Sequence, residues 1–433
     1  MASQQDSKRK PMLGCVADDV TGATDLAINL VHGGMSVVQV IGVPTAEDLR
    51  RLDTDAIVVA LKTRSIASSD AISQSVASLE ALRAFGVERF FFKYCSTFDS
   101  TEKGNIGPVA EAMMEALDVA QTIFCPALPR NGRTVYAGHL FVKGRLLNES
   151  GMENHPLNPM TDPDLVRFLG KQAVGQTGLL PYEAFSDGSE GLRRRLRDLA
   201  NAGVSLVVTD SCDDKHLETL ARAVTGMKLV TGGSGLARYL PQAYRNAGLL
   251  DSPPEEPALP AVSGRSLIMS GSCSAATNQQ VAWMKERCPA WKIDIPATIR
   301  DHRAVSEDIL SWASIQDPSK PLLVYSTAPP AEVAEIQDRF GKETVTRAVE
   351  DLQAFVASRM VDELGVRCLV LAGGETAGAI TNRLGIRSLR IGPEISAGVP
   401  WTVSMDEPAL ALALKSGNFG EEDFFEAALR MLS

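Results

Sequence analysis

The chain has 433 residues, of which 45% are hydrophobic and 22% charged. That is a globular composition, with room for about two to three domains and a core that needs no disulfide or metal staple. The net charge of −10 argues against nonspecific nucleic-acid binding. It does not argue against a phosphorylated ligand, because helix N-termini and a few local cations suffice to hold phosphate. No apolar run approaches the roughly 18 residues of a membrane span, and residues 1–11 lack the apolar core of a secretory signal. The seven cysteines and five histidines form no Cys-x-x-Cys or His-x-x-x-His pair. Reduced thiols in a cytoplasm, and no structural zinc, are expected.

The predicted elements alternate strand, turn, helix. Residues 12–17 form a short apolar strand that runs into Asp18-Asp19, then Thr21-Gly22 and an apolar helix to about residue 31. Residues 36–41, 56–61 and 89–92 read as further buried strands, with helices over 69–85 and 106–117 between them. Residues 122–125, 205–209 and 228–230 read as three more. Short continuous apolar strands alternating with helices predict a parallel sheet covered on both faces. A proline-rich stretch at 252–262 then reads as a semi-rigid linker. A second series follows at 266–269, 291–295, 321–325, 367–371 and 389–391. The expected fold class is α/β: two α/β domains with mostly parallel sheets, 1–250 and 263–433, joined by a linker at 251–262.

Several motifs are missing. There is no Gly-x-x-x-x-Gly-Lys-Ser/Thr loop, no Gly-x-Gly-x-x-Gly after a strand and no Gly-x-Ser-x-Gly elbow. A P-loop NTPase is thereby excluded, and a nicotinamide dehydrogenase and a serine hydrolase are disfavoured.

Five constellations carry chemistry. Asp18 and Asp19 sit at the carboxyl end of the first strand, where open α/β sheets bind ligands. Side-by-side carboxylates want a hydroxyl-rich or cationic partner, although Asp19 or Thr21 would also serve as a plain helix cap. The 90–105 segment ends a buried strand in Lys93 and continues through a hydroxyl-rich loop with Asp99, Ser100 and Thr101 to Gly104-Asn105. A lysine at a buried strand end is costly without a partner. It suits a substrate carboxylate, while Asp99 suits proton abstraction from a hydroxyl. Lys62 and Arg64 add cations at the same sheet edge. In the second half, 269–274 (Met-Ser-Gly-Ser-Cys-Ser), 371–378 with Gly373, Gly374, Glu375 and Thr376, and 414–420 with Lys415 and Gly417 are three glycine turns beside strand or helix ends. Together they fit a nucleotide site; singly each reads equally as a capping turn. The loop 155–162 and Gly138-His139 are kept as substrate-loop or lid residues. Gly232-Gly233-Ser234-Gly235 is read as helix packing.

Five of these segments, in this order, resemble the four-carbon acid sugar kinase family: 17–23 (Ala-Asp-Asp-Val-Thr-Gly-Ala), Lys93 to Asn105, 270–274, 373–376 and 415–420 (Lys-Ser-Gly-Asn-Phe-Gly). The 94–108 and 155–162 segments are similar to the 3-oxo-tetronate branch. The resemblance implies an ATP- and Mg2+-dependent kinase that phosphorylates the terminal hydroxyl of a four-carbon sugar acid, 3-oxo-tetronate before D-threonate or D-erythronate. It implies sugar acid held by the first domain, nucleotide by the second, and a site between them. Carried over by position, Asp18, Asp19, Lys62, Arg64, Lys93, Asp99 and Ser100 fall on the substrate side. Ser270, Gly373, Gly374, Glu375, Thr376, Gly398 and Gly417 fall on the nucleotide side. Asp99, then Asp19, is expected as the base, with Lys93 also catalytic; the metal ligands and the number of subunits stay open. Paired acids with a lysine also suit a non-kinase sugar-acid enzyme that enolises its substrate, and the same residues would serve a noncatalytic sensor.

Overall fold

The computed structural model describes residues 10–154, 158–251 and 262–432. The chain divides into two compact units, Met1–Glu256 and Pro257–Ser433.

The first unit contains strands β1 (Leu13–Ala17), β2 (Val37–Ile41), β3 (Ala56–Ala60), β4 (Phe90–Lys93), β5 (Thr122–Cys125), β6 (Arg133–Tyr136), β7 (His139–Val142), β8 (Arg145–Leu146), β9 (Gln176–Leu180), β10 (Val204–Thr209) and β11 (Leu229–Gly232). Its helices are α1 (Val20–His32), α2 (Ala46–Arg50), α3 (Ser68–Ala84), α4 (Ile106–Leu117), α5 (Leu165–Gln172), α6 (Gly188–Asn201), α7 (Asp214–Ala223) and α8 (Leu240–Asn246). The main strands lie in the order β2-β3-β1-β4-β11-β5-β10-β9, and each neighbouring pair is parallel. β1, β3 and β4 are buried at every position, as expected of strands covered on both faces. Because β3, β1 and β4 are adjacent and parallel, their carboxyl ends bring residues 18–19, 62–64 and 93–99 to one edge.

The core beneath that edge is aromatic. The buried Tyr94 packs against Phe98 and Phe124, with ring centroids 5.3 and 6.0 Å apart. Burial holds its phenol well above the usual value, and the hydroxyl meets Thr231 Oγ1 at 3.2 Å. The glycines at 232, 233 and 235 allow close approach to the backbone of residues 125–127, the end of β5 and the loop after it, where the sequence reading places helix packing.

The second unit contains β12 (Arg265–Ser270), β13 (Ala290–Lys292), β14 (Leu322–Tyr325), β15 (Val366–Ala372), β16 (Ser388–Ser396), β17 (Val399–Ser404) and β18 (Ala411–Lys415). Its helices are α9 (Ala275–Met284), α10 (Ile295–Arg300), α11 (His302–Ser314), α12 (Pro330–Phe340), α13 (Lys342–Glu363), α14 (Gly374–Arg383) and α15 (Phe424–Arg430). The order is β13-β14-β12-β15-β18-β17-β16. The first five strands are parallel, and β17 is antiparallel to both β18 and β16. Trp401 is fully buried in the core of this unit, and its indole N–H donates to Ala428 O at 3.0 Å.

Three sequence expectations need correction. The strand expected at 291–295 is only Ala290–Lys292, because Asp294 caps α10. The 389–391 strand is one arm of the longer antiparallel hairpin β16–β17. The small antiparallel sheet β6-β7-β8 was not foreseen, since its strands are short and half-buried. The 252–261 part of the expected linker, and His155, Pro156 and Leu157 of the expected lid, lie outside the described residues.

Candidate active-site groups in each unit

Arg64 organises the first group. Its Nε and Nη2 donate to Asp18 Oδ2 and Oδ1 at 2.9 and 2.8 Å, and Nη2 also reaches Asp19 Oδ1 at 2.5 Å. Nη1 faces Asp99 Oδ2 at 3.9 Å. Three carboxylates drawn from two adjacent strand ends therefore share one guanidinium, whose planar fork suits bidentate contact. The backbone sets this up. Asp18 N donates to Lys93 O, and Thr63 N and Arg64 N donate to Asp18 O. Asn105, which precedes α4, clamps the Arg64 loop by donating to Thr63 O at 2.7 Å and Ile66 O at 3.0 Å.

Burial pushes the Asp18 carboxyl up, and the bonds and charge of Arg64 pull it back. Burial also opposes the charge on Arg64, but its bonds to Asp18 and the fields of Asp18 and Asp19 outweigh that, and its pKa rises. Arg64 is thus a fixed cation. Asp19 has two jobs: it caps α1 by accepting from Gly22 N at 3.0 Å, and it pairs with Arg64. Asp19 therefore caps the helix and stands beside Arg64 and Asp18 at once.

Lys93 is 3% exposed. Its ammonium donates to Tyr94 O at 2.8 Å and lies against Gly22, where a Cβ would come within 2.8 Å of it. Asp99 and Ser100 are buried in the same loop. That loop is held in place by Phe98, which adopts the left-handed region at φ 52. Such a backbone costs roughly 1 kcal/mol or more for a bulky residue, and it is retained because the ring is buried between Tyr94 and Phe168. Ser100 Oγ accepts from Gln172 Nε2 at 3.0 Å, and Gln172 also donates to Thr101 O. Ser100 N points at Met160 Sδ at 3.5 Å, so the described end of the expected 155–162 loop does reach this group. Gln172 was missed, because nothing in its sequence surroundings marks it; Met160 lay within the 155–162 loop but was not singled out.

Two expectations are corrected. Lys62 is exposed beyond the end of β3, and no hydrogen bond or ion pair joins it to Asp18, Asp19 or Asp99. Gly138 belongs to the Ala137-Gly138 turn between β6 and β7, and His139 opens β7. Ala137 N and Gly138 N each donate to the Asp210 carboxylate at 2.9 Å, which ties the turn to the end of β10.

The second group is built from glycine turns. Gly271 N and Ser272 N donate to Ala372 O, and Gly373 N donates to Lys415 O, so the turns after β12, β15 and β18 are laced together. A Cβ on Gly271 would strike Thr376 Oγ1, and one on Gly417 would strike Ser272 Oγ. Gly373 has φ +124, open to glycine alone. α14 starts at Gly374 with no side-chain cap, which leaves its first N–H groups for an anion. Gly374 and Glu375 are exposed there, and Thr376 is buried. Gly398 turns the β16–β17 hairpin at φ +81 against the Phe419 ring. The Ser270 side chain is corrected: it is fully buried, and its hydroxyl meets Thr327 Oγ1 at 2.6 Å. It braces the turn and does not face a ligand.

Beside these turns lies a cavity of about 110 Å3 lined by Gly271, Thr376 and the apolar side chains of Ile295, Val333, Ile336, Val345 and Val349. Glu350 lies at its wall, and burial together with Glu375 pushes its carboxyl up. The slot was missed because apolar residues on α12 and α13 look like ordinary core. Among the described residues, no cluster of three or more His, Cys, Asp or Glu could hold a metal ion, and no helix is long and apolar enough to cross a membrane. All seven cysteines are free.

One unit thus gathers three carboxylates around one guanidinium, and the other gathers glycine turns and an uncapped helix head beside an apolar slot. Family models agree with that division: a sugar-binding N-terminal domain matches residues 13–240, and a nucleotide-binding C-terminal domain matches residues 267–425. A 3-oxo-tetronate kinase from Cupriavidus necator is 49% identical over 425 residues, covering 98% of each chain. The enzyme of that name from Pseudomonas fluorescens is 49% identical over 428 residues, covering 99% of this chain and 98% of the relative. A crystal structure of a Haemophilus influenzae protein matches with a TM-score of 0.89 at 42% identity, covering 97% of this chain and all of that one. The chain belongs to this family of two-domain kinases.

Proposed function

We propose that this kinase transfers the γ-phosphoryl group of ATP to the 4-hydroxyl of 3-oxo-tetronate, giving 3-oxo-tetronate 4-phosphate and ADP. The observation that carries the substrate is the 49% identity to 3-oxo-tetronate kinases along nearly the whole chain.

The hydroxyls of the sugar acid donate to Asp18, Asp19 and Asp99. The C4 hydroxyl loses its proton to Asp99 as its oxygen bonds to phosphorus, and the bond from phosphorus to the β,γ-bridging oxygen breaks. Asp99 suits this role better than Asp19, which already holds Gly22 N and Arg64. Asp99 lies 3.9 Å from the Arg64 Nη1 edge, in the same buried hydroxyl-rich loop as Ser100. Arg64 is then a holder of acids more than an anchor for the substrate carboxylate, and Lys93 supplies the remaining positive charge. Ser100 positions the loop through Gln172.

The phosphates of ATP lie on the head of α14 and the turns at Gly271, Gly373 and Gly417, and the base fills the apolar slot. Mg2+ would arrive on the nucleotide, held by phosphate oxygens and water, and would neutralise phosphate charge there; the exposed Glu375 is the carboxylate that would reach it. Phosphoryl transfer needs alignment and charge neutralisation more than covalent help. A cytoplasmic site of action fits the free thiols.

The test is ADP release with Mg·ATP over 3-oxo-tetronate, D-threonate and D-erythronate. The 3-oxo acid is expected to give the highest kcat/KM. ADP release no faster than a no-substrate control would overturn the reading.

A further inference from the structure

Lys415 ends β18 with its side chain 1% exposed. Its ammonium donates to Gly417 O at 2.8 Å, and to Thr277 Oγ1 and Ser416 O at 3.2 Å each. The Phe424 ring centroid is 5.9 Å away. Every one of these partners is uncharged. Among the described residues no carboxylate pairs with Lys415, and the acids on the surrounding elements are committed elsewhere. On α15, Glu426 accepts from the Trp283 indole, and just ahead of that helix Asp423 pairs with Arg430. Glu421, Glu422 and, on α14, Glu375 are exposed. Cys273 is the only titratable side chain in the 270–277 segment.

A charge buried among neutral oxygens is expensive, and a structural tie alone does not require it. Gly417 O is already held by Ser274 Oγ at 2.6 Å and Thr277 Oγ1 at 2.8 Å. The missing partner is an anion, and the glycine turns around Lys415 are the anion cradle of this unit.

We propose that Lys415 is a positioning residue for the nucleotide phosphates: it fixes the 415–417 turn to the head of α9, and the bound phosphate chain is the counter-charge that the protein itself does not provide. This rests on the reading of these turns as the nucleotide site. It adds that nucleotide binding takes up a proton at alkaline pH. Burial alone brings Lys415 down to about 8 in the free protein. A polyanion bound nearby favours the charged form and raises it again. Between the two values the bound protein holds the proton and the free protein has lost it, so binding takes one up.

Calorimetric titration with ADP, without sugar acid, in buffers of different ionisation enthalpy tests this. The expected uptake is close to zero near pH 6.5, about half a proton near pH 8 and close to one near pH 9. Wild-type affinity should weaken from pH 7 to 9.5. Lys415→Arg, always charged, should bind ADP with the same affinity across that range and no uptake. Lys415→Met should bind about a hundredfold more weakly at pH 7, with the gap to wild type narrowing to a few-fold by pH 9.5. If Lys415→Met does not fold, the wild type and Lys415→Arg still decide. ADP binding by the wild type without proton uptake near pH 8–9, or the same uptake in Lys415→Arg, would overturn the inference while leaving the nucleotide site standing. No ADP binding at all would overturn both.

Discussion

Arg64 grips both carboxylate oxygens of Asp18, at 2.9 and 2.8 Å, across 46 positions of sequence. This fork joins the ends of two adjacent strands and sets the positions of the acids around it. A lysine in its place would present one point charge where a planar fork is needed. Arg64→Lys is expected to lower kcat/KM by about 100-fold or more, and Arg64→Ala to cost about 3–5 kcal/mol of stability by leaving buried acids unanswered. The pH dependence gives a sharper check. Without Arg64, burial and the Asp19 charge act on Asp18 against Lys93 alone, and its carboxyl is driven higher. A carboxyl raised in the fold favours the folded state at low pH and loses that advantage as pH climbs through its folded pKa. Thermal melts of Arg64→Ala should therefore show its deficit against wild type shrinking at acid pH. A deficit independent of pH would count against this account of Asp18.

Asp99→Asn keeps the shape of the loop but removes the proton acceptor. A fall in kcat of about 10²–10⁴ is expected, with the dissociation constant of the sugar acid changed only a few-fold. Asp19→Asn, whose carboxylate is already committed, should lose less in kcat. Single-turnover rates with equilibrium binding separate the two. A larger kcat loss in Asp19→Asn would reassign the base.

Gly271 and Gly374 make a matched pair. A Cβ at Gly271 collides with Thr376 Oγ1, whereas one at Gly374 meets no protein atom within 4 Å. Gly271→Ala should lose both stability and nucleotide affinity as the turns are forced apart. Gly374→Ala should melt like wild type yet bind ADP at least about tenfold more weakly, because only a phosphate at the helix head would meet the added methyl. Unchanged ADP affinity in Gly374→Ala would place the phosphates elsewhere.

The apolar slot is small enough to be filled by a side chain. Val349→Phe should occupy part of its roughly 110 Å3 and raise KM for ATP about tenfold or more, with KM for the sugar acid nearly unchanged. Overpacking strain of about 1–3 kcal/mol is the accompanying cost. Initial-rate kinetics with each substrate varied in turn decide it, and an unchanged KM for ATP would remove the base from the slot.

Much of this was legible in the sequence because buried parallel strands announce themselves. The 106–117 helix and the 122–125 strand fall where the apolar pattern puts them, and the acids and lysine at the ends of β1 and β4 stood out as polar residues breaking apolar runs. What stayed hidden depends on contacts distant in sequence. Arg64 looked like a free cation for substrate, but a 46-residue return brings it to Asp18. Ser270 looked like a ligand group until the 326–328 segment brought Thr327 to it. The antiparallel β16–β17 pair was obscured because its outer arm is half-buried and irregular in register. Val345 and Val349 could not be told from core by pattern alone.

The central claim is that a phosphoryl group is placed on the C4 oxygen of 3-oxo-tetronate. Phosphorus–proton correlated NMR on the product of a reaction with Mg·ATP reads this directly. The account predicts one new phosphorus resonance coupled to the C4 methylene protons, formed in step with ADP. Phosphorus coupled to another carbon's proton, or inorganic phosphate as the only new signal, would contradict it.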